Sequence, residues 1–284
     1  MDKKDTKFWS NISNTILEEV QEVVKPIVGT EEGGEIIKMG ADGTPTKYID
    51  QVAEDKVIEI LQQTERTVTL ISEEIGELKI GNGTSEAVFV VDPLDGTRNA
   101  LKNIPAYGIS VAVADPTGLS NNLEDLHELT IGDIEIGFVK NFATNDIYQA
   151  QKGKGSKLNG QTIKPSSRKD VLGSSIGAYI YRADMSKVNR LCQTVSSMRI
   201  LGSVAIELCY VADGTYDAFL DVRGNLRIVD ISAAKLIIEE SVGIVTDEKC
   251  NPLKSGLNVI DRTSIVASCN KYFHKGIIEI LGGI

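Results

Sequence analysis

Apolar positions recur at helical spacing near the start of the chain and in short β-branched runs further on. Between residues 8 and 28 they fall three and four positions apart, which predicts an amphipathic helix. A Gly-rich polar loop over residues 29–45 follows, and a second helix is expected from about Asp50 to residue 63. Strands are predicted at 67–71, 87–91, 108–114, 134–139 and 146–151, the last two forming a hairpin.

The second half of the chain alternates helices and strands. Helices are predicted at 187–197, 203–212, 230–241 and 270–281, and strands at 198–201, 216–220 and 264–268. This alternation predicts an α/β fold with mixed sheets flanked by helices. A weak composition shift suggests two closely packed parts, an N-terminal α+β half over 1–160 and a C-terminal α/β half over 161–284.

Composition and charge exclude several classes of protein. Apolar residues make up 42% of the 284 residues and charged residues 25%, as is ordinary for a soluble globular protein. No apolar run could span a bilayer and no signal peptide is evident, so we expect a cytoplasmic protein without a membrane partner. The net charge of −10 argues against nonspecific nucleic-acid binding, which needs a basic surface. The four cysteines are scattered, which favours reduced thiols over disulfides or zinc.

Histidine is scarce, and this limits the available chemistry. Only His127 and His274 are present, and neither lies near a nucleophile elbow. A Ser-His-Asp or Cys-His mechanism is therefore disfavoured. Catalysis by this chain would depend on carboxylates, and hence on a metal ion.

An acidic turn follows the second predicted strand. Pro93 is expected to stop the strand, so that Asp92 and Asp95 project from a rigid turn. Gly96 and Thr97 then offer backbone amides where a short helix could begin, which is a suitable place for an anion. Carboxylates beside free amides suit a divalent cation bridged to a phosphate oxygen. An isolated motif of this kind would more often be a surface turn.

Three further acidic positions lie at the edges of predicted elements. Glu73 and Glu74 end a predicted strand, Asp230 begins a predicted helix, and Asp50 has a similar place. Each taken alone could be an exposed acid or a helix N-cap. Together they lie where α/β proteins build their sites.

These segments resemble, in order, the inositol monophosphatase/fructose-1,6-bisphosphatase superfamily. The matching pieces are Glu73-Glu74, the D-P-L-D-G-T string at 92–97, and Asp230-x-x-A-A followed by E-E-x-x-G at 239–243. The string M-G-A-D-G-T-P-T at 39–46, which includes Asp42, resembles the archaeal-type members, often dual inositol-monophosphate and fructose-1,6-bisphosphate phosphatases. The resemblance implies a layered α/β/α/β/α fold, dependence on Mg²⁺ and a homodimer.

The resemblance also implies a set of metal ligands. Glu73, Asp92 and the backbone carbonyl of Leu94 would hold the first ion, and Asp92, Asp95 and Asp230 the second. A third, weaker ion would lie near Glu73, giving two to three ions in all. Clustered carboxylates repel one another unless a cation lies between them. Hard oxygen ligands favour Mg²⁺, with Mn²⁺ as a possible substitute.

The implied reaction is direct attack of a metal-activated water on phosphorus, without a phosphoenzyme. Glu73 and Thr97 would orient and help to deprotonate this water, and Asp50 would support Thr97. The amides of Gly96 and Thr97 would bind phosphate oxygens.

The substrate side departs from the inositol-monophosphatase pattern. Gly202-Ser203-Val204 matches the stretch that contacts the sugar or cyclitol, although Ser203 could equally be a helix N-cap. Arg223 stands where such enzymes carry a glutamate, which favours a substrate with a second anionic group. We hypothesise that Arg223, with Arg182, Tyr179 or Lys235, binds a distal phosphate; a solvated arginine is the alternative. The expected substrate-binding residues are Asp95, Gly96, Thr97, Gly202, Ser203, Val204, Arg223 and Asp230.

The function predicted from these observations is a Mg²⁺-dependent phosphatase acting on a phosphorylated sugar or cyclitol, namely inositol 1-phosphate, fructose 1,6-bisphosphate or both. One alternative is a 3′(2′),5′-bisphosphate nucleotidase, which shares the metal motifs. An alternative of another class is a non-catalytic protein that binds phosphosugars or cations. Such a protein would be expected to lack a ligand or the water-positioning Thr97, and this chain lacks none of them.

Overall fold

Helices and two large β-sheets alternate in five layers, α/β/α/β/α, as the family resemblance implies. The computed structural model describes residues 1–41, 43–116 and 128–282, so Asp42 and His127 lie outside the described residues. The helices are α1 Lys3–Val24, α2 Tyr48–Gln63, α3 Thr97–Ala100, α4 Met185–Thr194, α5 Val204–Ala212, α6 Ile228–Glu240 and α7 Lys271–Leu281. None of them is both long and apolar enough to cross a membrane within the described ranges.

The larger sheet has eight strands in the order β10-β9-β8-β7-β6-β5-β3-β4. Neighbouring strands are antiparallel except β3 and β5, which run parallel. A separate hairpin pairs β1 Ile36–Met39 with β2 Pro45–Lys47. The strands of the sheet are β3 Val68–Ser72, β4 Gly76–Ile80, β5 Ala87–Asp95, β6 Gly108–Ala114, β7 Ile134–Asn141, β8 Ile147–Gln151, β9 Ser156–Leu158 and β10 Gln161–Thr162.

The smaller sheet has five strands in the order β12-β11-β13-β15-β14. β11 is parallel to both of its neighbours, whereas β15 is antiparallel to β13 and β14. The strands are β11 Ser175–Tyr179, β12 Ser197–Arg199, β13 Ala218–Arg227, β14 Ile244–Thr246 and β15 Arg262–Ser268.

Three apolar cores of described residues lie between the layers and join them. The first joins α1 and α2 to one face of the larger sheet, where the rings of Trp9 and Phe89 meet edge to face with centroids 5.6 Å apart. The second lies around α5 and α6, which are packed between the sheets. The third joins α4 and α7 to the outer face of the smaller sheet, through residues such as Leu191 and Phe273. Because both faces of β5 are covered, all nine of its residues are buried.

The structure corrects the prediction that Pro93 ends its strand. β5 continues through Pro93 to Asp95. Asp92 pairs with Ser110 and Asp95 pairs with Gly108, so β5 contains one more residue than β6 between these two pairs. This bulge accommodates the missing amide of proline and changes the direction of the two acidic side chains.

Several short strands were not predicted. The loop over 29–45 contains β1 and the start of β2, and β4, β9, β10, β11 and β14 were also missed. In β11 the apolar pattern is broken by Gly177, where a Cβ atom would lie 2.8 Å from the Tyr216 ring. A packing requirement of this kind has no signature in a single sequence. The four cysteines are unpaired, as expected.

Candidate metal and phosphate site

The acidic residues converge because two parallel strands end at the same edge of the larger sheet. Ser72 of β3 pairs with Val91 of β5, so Glu73 and Asp92 follow paired residues and emerge side by side. The third element is α6, which packs on this sheet and brings Asp230 in its first turn to the same edge.

Glu73, Asp92 and Asp230 form a compact carboxylate cluster. Each offers an oxygen that lies within 4.8 Å of the other two. Asp92 is only 1% exposed, and its Oδ2 has no hydrogen-bond partner among the described residues. Burial and the charges of Glu73, Asp95 and Asp230 raise the pKa of Asp92 well above its ordinary value. A buried carboxylate oxygen without a partner in an all-oxygen cluster fits a hard divalent cation.

Asp95 has a different environment from the other three acids. Its Oδ2 accepts hydrogen bonds from Ser203 Oγ at 2.6 Å and from the Ala205 amide at 2.8 Å, and its Oδ1 accepts one from the Val204 amide at 3.2 Å. Asp95 therefore caps the N-terminus of α5, and the Ser203 hydroxyl is directed to Asp95 instead of capping the helix itself. Burial, together with the charge of Asp230, raises the pKa of Asp95 to about 6 despite these hydrogen bonds.

Asp50 and Thr97 form a direct pair. Thr97 Oγ1 lies 2.8 Å from Asp50 Oδ1 and 3.1 Å from the carbonyl oxygen of Leu94, two acceptors for one hydroxyl hydrogen. The alternative that Asp50 is a helix N-cap is wrong, because α2 begins at Tyr48 with Lys47 as its cap. Asp50 lies in the first turn and its Oδ2 accepts a hydrogen bond from the Lys47 amide at 3.1 Å.

Asp230 likewise lies in the first turn of its helix and is not the N-cap, since α6 begins at Ile228. Gly96 is the N-cap residue before α3 and has a positive φ of 84°, and a Cβ atom there would lie 2.7 Å from the carbonyl oxygen of Ala106. The turn therefore requires glycine at Gly96.

Glu73 and Asp230 of the cluster line a cavity of about 430 Å³. Gly202 and Val204 line it together with residues 94–97 of the D-P-L-D-G-T segment, whereas Ser203 is not among the described residues around it. The loop at Gly202 is held by Glu207, whose Oε2 accepts hydrogen bonds from the amides of Leu201 and Gly202, each at 3.1 Å. The described residues around the cavity are Ile36, Thr44, Pro45, Lys47, Asp50, Glu73, Glu74, Leu94, Asp95, Gly96, Thr97, Arg98, Gly202, Val204, Arg227 and Asp230.

Arg223 and its suggested helpers do not line this cavity within the described part of the chain. The Arg223 guanidinium pairs with Asp221, with Nε 2.9 Å from Oδ1, and lies 4.3 Å from the centre of the Tyr181 ring. The remaining candidates have other surroundings. The Tyr179 hydroxyl donates to Glu207 at 2.8 Å, Lys235 pairs with Glu239 at 2.8 Å, and Arg182 is exposed.

Arg227 is the main site residue that the sequence reasoning missed. It is the last residue of β13, and its guanidinium contacts both Glu73 and Asp230. A basic residue three positions before a first-turn aspartate was a visible signal, but its contact with Glu73 spans 154 residues. Lys47 and Arg98 add two further cationic side chains to the cavity wall.

A layered α/β/α/β/α fold with a carboxylate cluster where two parallel strands end defines an inositol-monophosphatase-like class of protein. The chain belongs to the inositol monophosphatase family, because residues 3–283 match the model of that family. The predicted resemblance is thereby confirmed.

Individual relatives agree with this assignment. The chain is 51% identical to a fructose-1,6-bisphosphatase/inositol-1-monophosphatase of Methanothermobacter thermautotrophicus, over 99% of both chains. It is 40% identical to a bifunctional NADP phosphatase/NAD kinase of Methanocaldococcus jannaschii, over 95% of this chain but only 50% of that protein. The crystal structure of an inositol monophosphatase-fructose 1,6 bisphosphatase superimposes with a TM-score of 0.82, at 30% identity, over 96% of this chain and 99% of the other.

Proposed function

We propose that this chain is a Mg²⁺-dependent phosphatase that hydrolyses the phosphate monoesters of inositol 1-phosphate and fructose 1,6-bisphosphate. The observation that carries the proposal is the cluster of Glu73, Asp92 and Asp230, with the unpartnered Asp92 Oδ2. Glu73 and Asp230 of this cluster line a cavity. The 51% identity to a relative with both activities in its name supports the substrate class.

The metal site in this proposal uses hard oxygen donors only. Glu73, Asp92 and Asp230, with Asp95 and the carbonyl of Leu94, would hold two to three Mg²⁺ ions, and Mn²⁺ would substitute. Bound ions would neutralise the phosphoryl oxygens and activate water at neutral pH. The charges that raise the pKa of Asp92 would then be balanced.

The remaining residues would orient the substrate and the water. Asp50 fixes the position of the Thr97 hydroxyl, which with Glu73 would hold and help to deprotonate the attacking water. The amides of Gly96 and Thr97 would donate to phosphate oxygens. Lys47 and Arg98 on the cavity wall would attract an anionic substrate, although the whole chain carries a net charge of −10.

Residues on the far side of the cavity would contact the part of the substrate beyond the reacting phosphate. Gly202 and Val204 would contact the sugar or cyclitol ring, with Ser203 acting through Asp95. A role for Arg223 at a distal phosphate would require it to leave Asp221, because their side chains are paired. Arg223 would therefore have at most a secondary role in substrate binding.

A second candidate substrate is NADP⁺, from which the 2′-phosphate would be removed. The observation that favours it is the 40% identity over 95% of this chain to a protein named a bifunctional NADP phosphatase/NAD kinase. A 3′(2′),5′-bisphosphate nucleotide is a chemically similar alternative. Both are phosphate monoesters, so they would use the same carboxylate cluster and differ only in the cavity contacts.

The experiment is a phosphate-release panel with four substrates, each with and without Mg²⁺. These are inositol 1-phosphate, fructose 1,6-bisphosphate, NADP⁺ and adenosine 3′,5′-bisphosphate, and Asp92→Asn is the matched control. We expect Mg²⁺-dependent release from the first two. Release from neither of them, with release from a nucleotide, would reassign the substrate. Binding of a phosphosugar without release from any substrate would favour the non-catalytic alternative.

We also propose that the protein is a homodimer in the cytoplasm and that it binds neither nucleic acid nor membranes. The family membership supports the dimer, and the acidic net charge supports the absence of nonspecific nucleic-acid binding. Light scattering at two protein concentrations would test the oligomeric state.

A further inference from the structure

The guanidinium of Arg227 lies within the carboxylate cluster. Its Nη1 contacts Glu73 Oε1, and its Nη2 donates to Asp230 Oδ1 at 2.9 Å. Its Nε lies 3.1 Å from each oxygen of Asp230. One cationic side chain thus joins two of the three residues that could hold a metal ion.

The contacts use the same oxygens that an ion would need. Both carboxylate oxygens of Asp230 accept hydrogen bonds from the Arg227 side chain, and Oδ2 also accepts one from the Arg227 amide at 3.4 Å. A guanidinium donates in the plane of the carboxylate, along the lone pairs that coordinate a cation. The guanidinium and a metal ion therefore cannot fully occupy these oxygens together.

The charge of Arg227 is strongly favoured where it lies. Its side chain is 22% exposed, and those of Glu73 and Asp230 are 15% and 7% exposed. Burial opposes the charged form, but the negative charges of Asp230, Glu73 and Asp92 outweigh it and raise the pKa of Arg227 well above its ordinary value. Arg227 is thus a permanent cation that partly neutralises the cluster.

We propose that Arg227 is a built-in competitor of the metal ion: it bridges Glu73 and Asp230 in the absence of metal, and metal binding displaces it towards the cavity. It is a positioning residue that keeps the two carboxylates together. Arg227 lines the cavity, so the displaced guanidinium would stay within it. This inference rests on the proposed function, because it assumes that the cluster binds a divalent cation.

The test is the affinity for Mn²⁺, measured by calorimetry on the chelator-treated full chain without substrate. Arg227→Gln removes both the charge and the contacts. Arg98→Gln is the matched control, because Arg98 lines the same cavity but forms no ion pair among the described residues. We expect Arg227→Gln to bind Mn²⁺ about tenfold more tightly than the wild type. Arg98→Gln should change the affinity by less than about twofold, because the charge of Arg98 is screened by solvent and is not paired with the cluster.

A second measurement follows the guanidinium directly in the wild-type protein. The Arg227 Nε–H resonance, assigned by its absence in Arg227→Lys, should shift as Mg²⁺ is added and saturate together with the calorimetric binding. An unchanged resonance at saturating Mg²⁺ would show that the guanidinium is not displaced and would overturn the inference. Mn²⁺ binding by Arg227→Gln that is no tighter than wild type, or that is matched by Arg98→Gln, would also overturn it.

The two proposals fail in different ways. Wild-type protein that binds neither Mn²⁺ nor Mg²⁺ would contradict the proposed function and the inference together. Wild-type protein that binds Mn²⁺ and releases phosphate, while Arg227→Gln shows no gain in affinity, would contradict the inference alone.

Discussion

The Thr97 hydroxyl lies 2.8 Å from Asp50 Oδ1, so that a hydrogen bond joins α3 to the first turn of α2 across the candidate site. Asp50 is buried, which raises the pKa of its carboxyl group above the ordinary value, whereas the hydrogen bonds from Thr97 and Lys47 lower it. The Asp50 carboxylate therefore accepts a hydrogen bond from the hydroxyl of Thr97, a residue that lines the cavity. This arrangement suits the orientation of a water molecule or a phosphate group.

Replacement of Thr97 by valine should lower kcat about 100-fold, the usual contribution of a positioned proton-transfer group. The side chain keeps its size but loses the hydroxyl, and Mn²⁺ affinity should stay within about twofold because no carboxylate changes. Phosphate-release kinetics and Mn²⁺ calorimetry would measure the two effects. Thr97→Ser is the control and should retain most of the activity. Equal kcat in Thr97→Val and wild type would remove Thr97 from the proposed mechanism.

Replacement of Asp92 by asparagine should abolish turnover and leave the fold intact. The residue has an unpartnered buried oxygen beside three other acids, so loss of its charge removes repulsion in the metal-free protein. We expect at least about a 1,000-fold loss of activity, equivalent to ~4 kcal/mol of transition-state stabilisation. The melting temperature in EDTA should be equal to or above that of wild type. Unchanged phosphatase activity in the folded variant would exclude this site.

The convergence of the acidic segments could be predicted because it follows from local patterns. Glu73 and Asp92 both end apolar runs, and a parallel pairing of two such strands brings their ends together. The bounds of β6 were predicted without error, and α2 and α6 begin only two residues before their predicted starts. β6 and most of α6 are buried segments with long apolar runs, and a single sequence records such runs directly.

The contacts of the site residues were less accessible from the sequence. Asp95 caps α5 through residues more than 100 positions away, and nothing near Asp95 indicates this contact. Arg223 is different, because its partner Asp221 lies two residues earlier on the same strand. Alternate residues share a face of a strand, so the pairing that occupies Arg223 was visible in the sequence.

Replacement of Ser203 by alanine should destabilise the protein by about 1–3 kcal/mol, because the buried carboxylate of Asp95 then loses the hydrogen bond that the Ser203 hydroxyl donates. The amides of Val204 and Ala205 would still hold the carboxylate, so the helix start should persist. Urea denaturation in EDTA would measure the loss. Ser203→Thr, which retains the hydroxyl, is the control. A free energy of unfolding equal to that of wild type would mean that the hydroxyl contributes nothing at this position.

His274 should make the stability of the protein sensitive to acid. The imidazole is buried and hydrogen-bonded to the hydroxyls of Thr246 at 2.9 Å and Ser268 at 3.1 Å. Burial lowers the pKa of His274 to about 4 from its ordinary value of 6.5. The unfolded chain therefore binds the proton more readily than the folded one. The stabilisation is complete above about pH 6.5 and is lost as the pH falls towards 4, by about 3 kcal/mol in total.

The measurement is urea denaturation at pH values between 4 and 7 for wild type and for His274→Gln, both in EDTA so that metal binding does not contribute. Glutamine can still hydrogen-bond the two hydroxyls but does not titrate. The variant should therefore lose less stability than wild type over this range, even if it is less stable at pH 7. Parallel pH profiles for the two proteins would contradict the prediction, because the acid sensitivity would then arise from other groups.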